Sequence, residues 1–259
     1  MIKKLDLPTQ LRRLYAASAG LFAVLAVAAG AMMNTNNYPV TIGHLSKDEL
    51  ASKTSTVFAH ADWALFDLEV RWVLVGLLVL SAVVPVLYLT KWAARYQRGM
   101  KDRTLTWRWV DLAVTGALMS VVVAVLSGVQ DLFVLVVIAG VVAAAVVLAT
   151  LAERQNTNAK KLSWATYKTG LVLAALPTLL VASYAIATWV YGLVRYPWYV
   201  YALYAVLAIG AVLWALNQRR AIKAVGAWKD YSYVERNYAV ISLVTKVAFA
   251  VVLIVGLMK

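Results

Sequence analysis

The chain has 259 residues, 63% of them hydrophobic and 14% charged, against about 25% charged in an ordinary soluble domain. Its 25 lysines and arginines exceed its 12 acids, giving +13, but the cations cluster between long apolar runs, which points to lipid headgroups and not to nucleic acid. With no cysteine, disulfides, thiol catalysis and thiolate metal centres are excluded.

Seven apolar runs approach the ~20 residues that a helix needs to cross ~30 Å of hydrocarbon. They are Leu11–Met33, Leu65–Thr90, Leu105–Leu126, Leu132–Leu151, Trp164–Gly192, Tyr199–Leu216 and Ala239–Met258. They predict an all-α membrane protein, a seven-helix bundle filling residues 1–259 as one domain. The first run follows Lys3, Lys4, Arg12 and Arg13 and exceeds the ~7–15 residues of a signal-peptide core, so an uncleaved first helix is expected.

The longest connection, Asn34–Ala64, comes next. In "NTNNYPVTIGHL" turn formers precede β-branched residues, which predicts a short hairpin. A loop of this length in a compact membrane protein commonly acts as a lid or subunit contact. His44 and His60 read as solvated surface, and Asp48, Glu49 and Asp62 suit an outer face.

In the second run Ser81 stands midway, with Asp67, Glu69 and Arg71 at its mouth. The third run carries Asp111 nearly two turns in, with Thr115 four residues later and Asp131 in the turn beyond. Gly116, Gly140, Gly170, Pro85 and Pro177 are compatible with close helix packing. Trp63, Trp92, Trp107, Trp189, Tyr196, Trp198 and Trp228 lie near run ends, as an interfacial belt would.

Nineteen cations fall on one side of this arrangement and five on the other. By the positive-inside rule the N-terminus is cytoplasmic and the C-terminus extracellular, in a multi-pass protein of the plasma membrane. Anionic lipid accounts for the basic face, and a cytoplasmic protein partner is its second reading.

The seventh run holds Lys246. It stands roughly 10 Å from one end of that run and 18 Å from the other, at 1.5 Å per residue, too deep for its side chain to reach either. An ammonium there costs about 2.5–3.5 kcal/mol even on the lenient insertion scale. Such a lysine serves as half of a structural ion pair, as a site for a translocated anion, or as a Schiff-base nitrogen for a carbonyl ligand. Asp111 is at similar depth and is its natural partner, with Arg108 as the competing partner for Asp111. Ser242 shares a helix face with Lys246, and Thr115 shares one with Asp111. Their hydroxyls and that of Ser81 can orient the carboxylate or bond back to their own helix.

Several stretches resemble the heliorhodopsin family. "WALNQRR" and "GAWKDYSYVERNYAVISLVTK" resemble its sixth and seventh helices, and "RWVDLAVTGALMSVVVAVLSGVQD" its third helix and outer turn. "LRRLYAASAGLF", "YPVTIGHL" and "LLVLSAVV" are similar to its first helix, long loop and second helix. The resemblance implies a rhodopsin-like seven-helix bundle of inverted topology, binding all-trans retinal on Lys246 with Asp111 as counterion, and a homodimer formed through the long loop. It also implies that Ser242 and Ser81 join the Schiff-base network, and that Met119, Pro177, Thr115 and Trp214 line the retinal pocket. The chain departs from the family in having Asp for Glu at 111, Phe22 and Pro85 at positions of histidines, and Val251 where a tryptophan is expected.

A light sensor is therefore expected, not an enzyme. The alternative is a light-driven proton or ion transporter. Pump rhodopsins place further carboxylates at positions held here by Val122 and Ser242, so a relay through the membrane lacks stations.

Overall fold

The computed structural model describes residues 9–47, 58–192 and 194–258. Eight α-helices occur among them: α1 (Thr9–Met32), α2 (Val70–Leu89), α3 (Ala93–Lys101), α4 (Thr106–Leu126), α5 (Leu132–Asn156), α6 (Ala165–Tyr191), α7 (Trp198–Lys223) and α8 (Tyr231–Gly256). All but α3 are long and apolar enough to cross a membrane, and together they form a bundle consistent with the rhodopsin plan. Asp131 caps α5 by accepting from the Val134 amide at 3.0 Å, and Asp230 caps α8 through Ser232 at 2.9 Å.

Four boundaries differ from those expected. Leu65–Glu69 belongs to a strand, so the second spanning helix starts at Val70. Helix α5 continues past Leu151 to Asn156, α7 continues past Leu216 to Lys223, and α8 begins at Tyr231, two turns before Ala239. Each extension carries polar residues that hydropathy assigns to loops: Glu153 and Asn156, Asn217 and Gln218, and Glu235. All five are buried. Each has a hydrogen-bond partner within the protein: Arg108 for both glutamates, Ala152 and Ser163 for Asn156, Val234 and Trp228 for Asn217, and Ala149 for Gln218. Helix α3 was not expected, because its basic sequence "AARYQRGMK" reads as a loop; Tyr96 anchors it, fully buried.

The expected hairpin is present and larger than its sequence signal. Strand β1 (Asn37–Lys47) pairs antiparallel with β2 (Phe58–Glu69), with an irregularity between Val40 and Thr41. Asp48, Glu49 and Lys53 lie outside the described residues, as do Lys3, Lys4 and Lys259. The ribbon is fastened to the bundle. The Thr41 amide donates to the Gln130 carbonyl at 2.9 Å, and the Gly43 amide to Asp131 Oδ2 at 3.2 Å. The first and last spans are tied at this same end, where the Asn34 amide donates to the Leu257 carbonyl at 2.8 Å and Met33 bridges Met258. This is the hairpin end of the bundle. The other, where α3 lies and the cations concentrate, is the basic end.

The main apolar core fills the hairpin half, with Leu74, Leu77, Leu78, Val122, Leu203, Phe249 and Leu253 fully buried. Helix α4 runs through the centre, touching α2, α5 and α7. Helices α7 and α8 approach closely at Gly210, where an added Cβ would stand 2.7 Å from Thr245 Cγ2. No side chain fits there without moving one helix.

Candidate functional site

Lys246 on α8 and Asp111 on α4 meet. Lys246 Nζ donates to Asp111 Oδ2 at 2.7 Å, and the lysine is 3% exposed. A buried charge needs a partner of this kind, since either group alone would be left uncompensated in a medium of low dielectric. The Phe22 ring lies 5.8 Å from the same nitrogen. Asp111 Oδ1 is buried and without a protein partner.

The hydroxyls around the pair bond mainly to their own helices. Ser81 donates to the Leu77 carbonyl at 2.7 Å, and Thr115 to the carbonyl of Asp111 at 2.6 Å, so neither supports the carboxylate directly. Ser81 and Ser242 nevertheless border a small cavity beside Asp111, Lys246, Phe22 and Pro85. It offers about 40 Å³ to water centres, and a water needs roughly 10–15 Å³. An ordered water here could serve the unpartnered oxygen.

Arg108 does not compete for Asp111. It faces the basic end, where its Nη2 donates to both oxygens of Glu153 at 2.7 and 2.8 Å and its Nη1 to Glu235. Trp109 Nε1 donates to Glu153 at 2.6 Å, the Tyr231 hydroxyl to Glu153 at 3.1 Å, and the Tyr15 hydroxyl to Glu235 at 2.6 Å. The guanidinium also lies 4.1 Å from the Tyr238 ring centroid, a cation–π contact. Glu235, Arg108 and Tyr238 border the cavity that holds Lys246 and Asp111, so cluster and ion pair share one space.

Sequence reasoning missed this cluster, because "LAERQ" and "YVERN" look like charged surface. One signal was present. Glu235 precedes Lys246 by three helical turns, and Glu235, Tyr238, Ser242 and Lys246 follow the stripe spacing of one helix face. The basic end thus holds two carboxylates beyond Asp111, whereas Val122 is fully buried in the apolar core. Lack of stations is a property of the hairpin half alone.

A larger cavity of about 210 Å³ lies between α4, α5, α6 and α7. Met119, Pro177 and Trp214 line it, together with Trp109, Tyr204 and Thr245, the residue before Lys246. Trp214 also borders the ion-pair cavity and stands between the two. Its ring stacks at 4.5 Å on Tyr238 and at 5.6 Å on Trp109. Thr115 borders neither cavity; its place is behind the Asp111 backbone. Val251, where a tryptophan was expected, is 43% exposed on the outside of the bundle.

An apolar cavity bordered by Thr245, with the Lys246 amine held against a carboxylate in the adjoining smaller cavity, suits an apolar carbonyl ligand. The sequence model of one family, described as heliorhodopsin, matches residues 11–258. No curated protein matches the chain.

Proposed function

The chain belongs to the heliorhodopsin family, whose members are retinal-binding membrane proteins with seven transmembrane helices, and from that premise we propose that it is a light sensor. In this reading Lys246 Nζ carries all-trans retinal as a protonated Schiff base and Asp111 is its counterion. The observation that carries it is the buried 2.7 Å contact between those two residues beside a 210 Å³ apolar cavity. Retinal supplies visible absorption and a double bond that light isomerises.

The chain's own residues supply the rest. Asp111 Oδ2 keeps the proton on Lys246 Nζ by opposing its charge, in a cavity where that attraction is little screened. Ser81 and Ser242 present hydroxyls to the same cavity and orient its water. Met119, Pro177 and Trp214 confine the polyene. Thr115 acts one step removed, fixing the turn that aims Asp111.

The sensor reading is supported by the hairpin half. Toward that end from the ion pair, Thr115 and Ser127 are the fully buried polar side chains among the described residues, and neither relays a proton as a carboxylate does. A pump needs stations on both sides. The charge count supports a cytoplasmic N-terminus in the plasma membrane, and no reaction chemistry is assigned to the site. The exposed Phe58, Trp63 and Phe66 on the hairpin support a homodimer contact there. The basic end is left to anionic lipid, with a cytoplasmic protein partner as its second reading.

Reconstitution with all-trans retinal tests the assignment. A visible band should form, bleach with hydroxylamine and be absent in Lys246→Ala. In chloride-free buffer near neutral pH, Asp111→Asn should move the band to the near ultraviolet, and Asp111→Glu should shift it to shorter wavelength within the visible. A band that survives Lys246→Ala refutes the attachment site. A light-driven, uncoupler-sensitive pH change in cell suspensions would favour the transporter reading instead.

A further inference from the structure

The basic end contains a separate cavity of about 280 Å³, bounded by the last turns of α5 and α7, a single 3-10 turn (Gly226–Lys229) and the start of α8. Arg103, Lys223 and Lys229 stand on its exposed rim, and Asn156 and Gln218 lie buried deeper. None of the three cations forms a salt bridge among the described residues. Lys223 offsets the C-terminal dipole of α7 and Arg103 Nη2 donates to the Lys229 carbonyl at 3.1 Å, but among the described residues no carboxylate neutralises any of the three charges. Unpaired cations around a concavity concentrate anions.

Three non-glycine residues among those described are left-handed: Arg103 (φ 54°), Asn158 (φ 59°) and Ala224 (φ 47°). All three border this one cavity. Each is the left-handed residue that ends a helix, α3, α5 or α7, and the amides of Thr104 and Val225 bond back to the Gly99 and Arg220 carbonyls in closing two of them. Three helix ends therefore converge on this one cavity.

We propose that this cavity binds a small phosphate-type anion, either free or carried on a lipid headgroup. The cations at the rim neutralise it, and the aromatic face of Trp228 and Tyr231 flanks it. The floor gives the site a consequence. Glu153 lines the cavity and is gripped by Arg108, which borders the ion-pair cavity with Glu235. An anion above Glu153 competes for the charge of Arg108, so occupancy and the surroundings of Asp111 are linked, and by thermodynamic necessity each affects the other equally. The linkage rests on the chromophore assignment; the binding does not.

The test begins with retinal-free protein in detergent, its thermal unfolding followed as inorganic pyrophosphate is titrated. A saturable rise in Tm is expected. Its midpoint should move about tenfold or more to higher concentration in Arg103→Gln/Lys229→Gln, the loss expected for charge-assisted contacts. Lys91→Gln/Arg95→Gln removes two basic-end cations outside the cavity and should titrate like the unaltered protein. Equal responses in all three proteins would mean charge screening and overturn the proposal, as would no response to either pyrophosphate or nanodiscs containing phosphatidic acid. Protection by the nanodiscs alone, lost in Arg103→Gln/Lys229→Gln, supports the site and assigns the phosphate to a headgroup. In the retinal-loaded protein, pyrophosphate should shift the visible band, and Glu153→Gln should remove that shift. Binding without a shift overturns the linkage, whereas failure to form any pigment counts against the chromophore assignment and leaves the retinal-free titration readable.

Discussion

Toward the hairpin end, Leu74, Leu77, Leu78, Val122, Phe249 and Leu253 are packed with almost nothing polar among them. Toward the basic end, Arg108, Glu153, Asn156, Asn217, Gln218 and Glu235 are buried as well. Both halves bury side chains, by different means. The first does so by dispersion and shape, where each contact is small and the sum is large. The second does so by pairing. Asn217 accepts from Trp228 at 2.8 Å, Gln218 donates to the Ala149 carbonyl at 2.6 Å, and Arg108 joins two carboxylates. Burial alone therefore does not say what holds a region together, and the two halves should fail differently.

The largest effect is expected where pairing is broken. Arg108→Leu leaves Glu153 and Glu235 without their cation and should cost about 3–5 kcal/mol in reversible unfolding from detergent. Adding Glu153→Gln and Glu235→Gln should restore much of that, because the buried charges leave together. If the single substitution is mild, the halves do not differ as described. In the apolar half, Leu77→Ala should cost about 2–5 kcal/mol through lost burial and a cavity, and no second polar substitution should rescue it. Combined with Arg108→Leu, its cost should add to within about 0.5 kcal/mol, since the sites share no partner.

These two halves were unequally legible. Lys246 and Asp111 could be read from the sequence because each interrupts an apolar run, and charge in such a place is conspicuous. Glu153 and Glu235 could not, because each sits where hydropathy falls and the run is taken to end. A window that averages over a helix cannot tell a polar residue entering water from one entering a network. Arg108 is visible in the sequence, but as a competing partner for Asp111. Its true partners lie 45 and 127 positions away, and only the packing of α4 against α5 and α8 brings them together. The hairpin was foreseen from its β-branched residues, but its length was not, because Leu65–Glu69 is equally suited to helix and strand. The serine and threonine hydroxyls were readable as neighbours of the ion pair, though not in their bonding, which for Ser81 and Thr115 is to their own helices.

Smaller effects sharpen the picture. Ser81→Ala should cost under about 1 kcal/mol and leave the Lys246–Asp111 pair intact, because the hydroxyl serves the Leu77 carbonyl. A large loss would place Ser81 among the pairing residues after all. The least effect is expected at Asp131, where the amides of Val134 and Gly43 hold the carboxyl below its usual range. A carboxyl depressed in the folded protein contributes stability above its unfolded pKa of ~3.9 and loses that contribution as pH falls through the lower folded value. Protection of the Gly43 amide, taken relative to its intrinsic exchange rate at each pH, should therefore fall as the pH drops below about 4, and Asp131→Asn should show lower protection at neutral pH too. No change at Gly43 in either case would mean that the Asp131 contact does not fasten the ribbon.

The fastening of the hairpin end also sets where a disturbance at Lys246 can be displayed. Met33 is bridged to Met258, Asn34 to Leu257, and β1 to the turn before α5, so α1, α5, α8 and the ribbon are knotted together on that side. At the other end the joints are side-chain contacts, such as those of Arg108, which can exchange partners without breaking the backbone ladder. Rods tied at one end swing only at the other. The hairpin end is in this respect the fixed side, and the joints free to rearrange when Lys246 is displaced are those of the basic end.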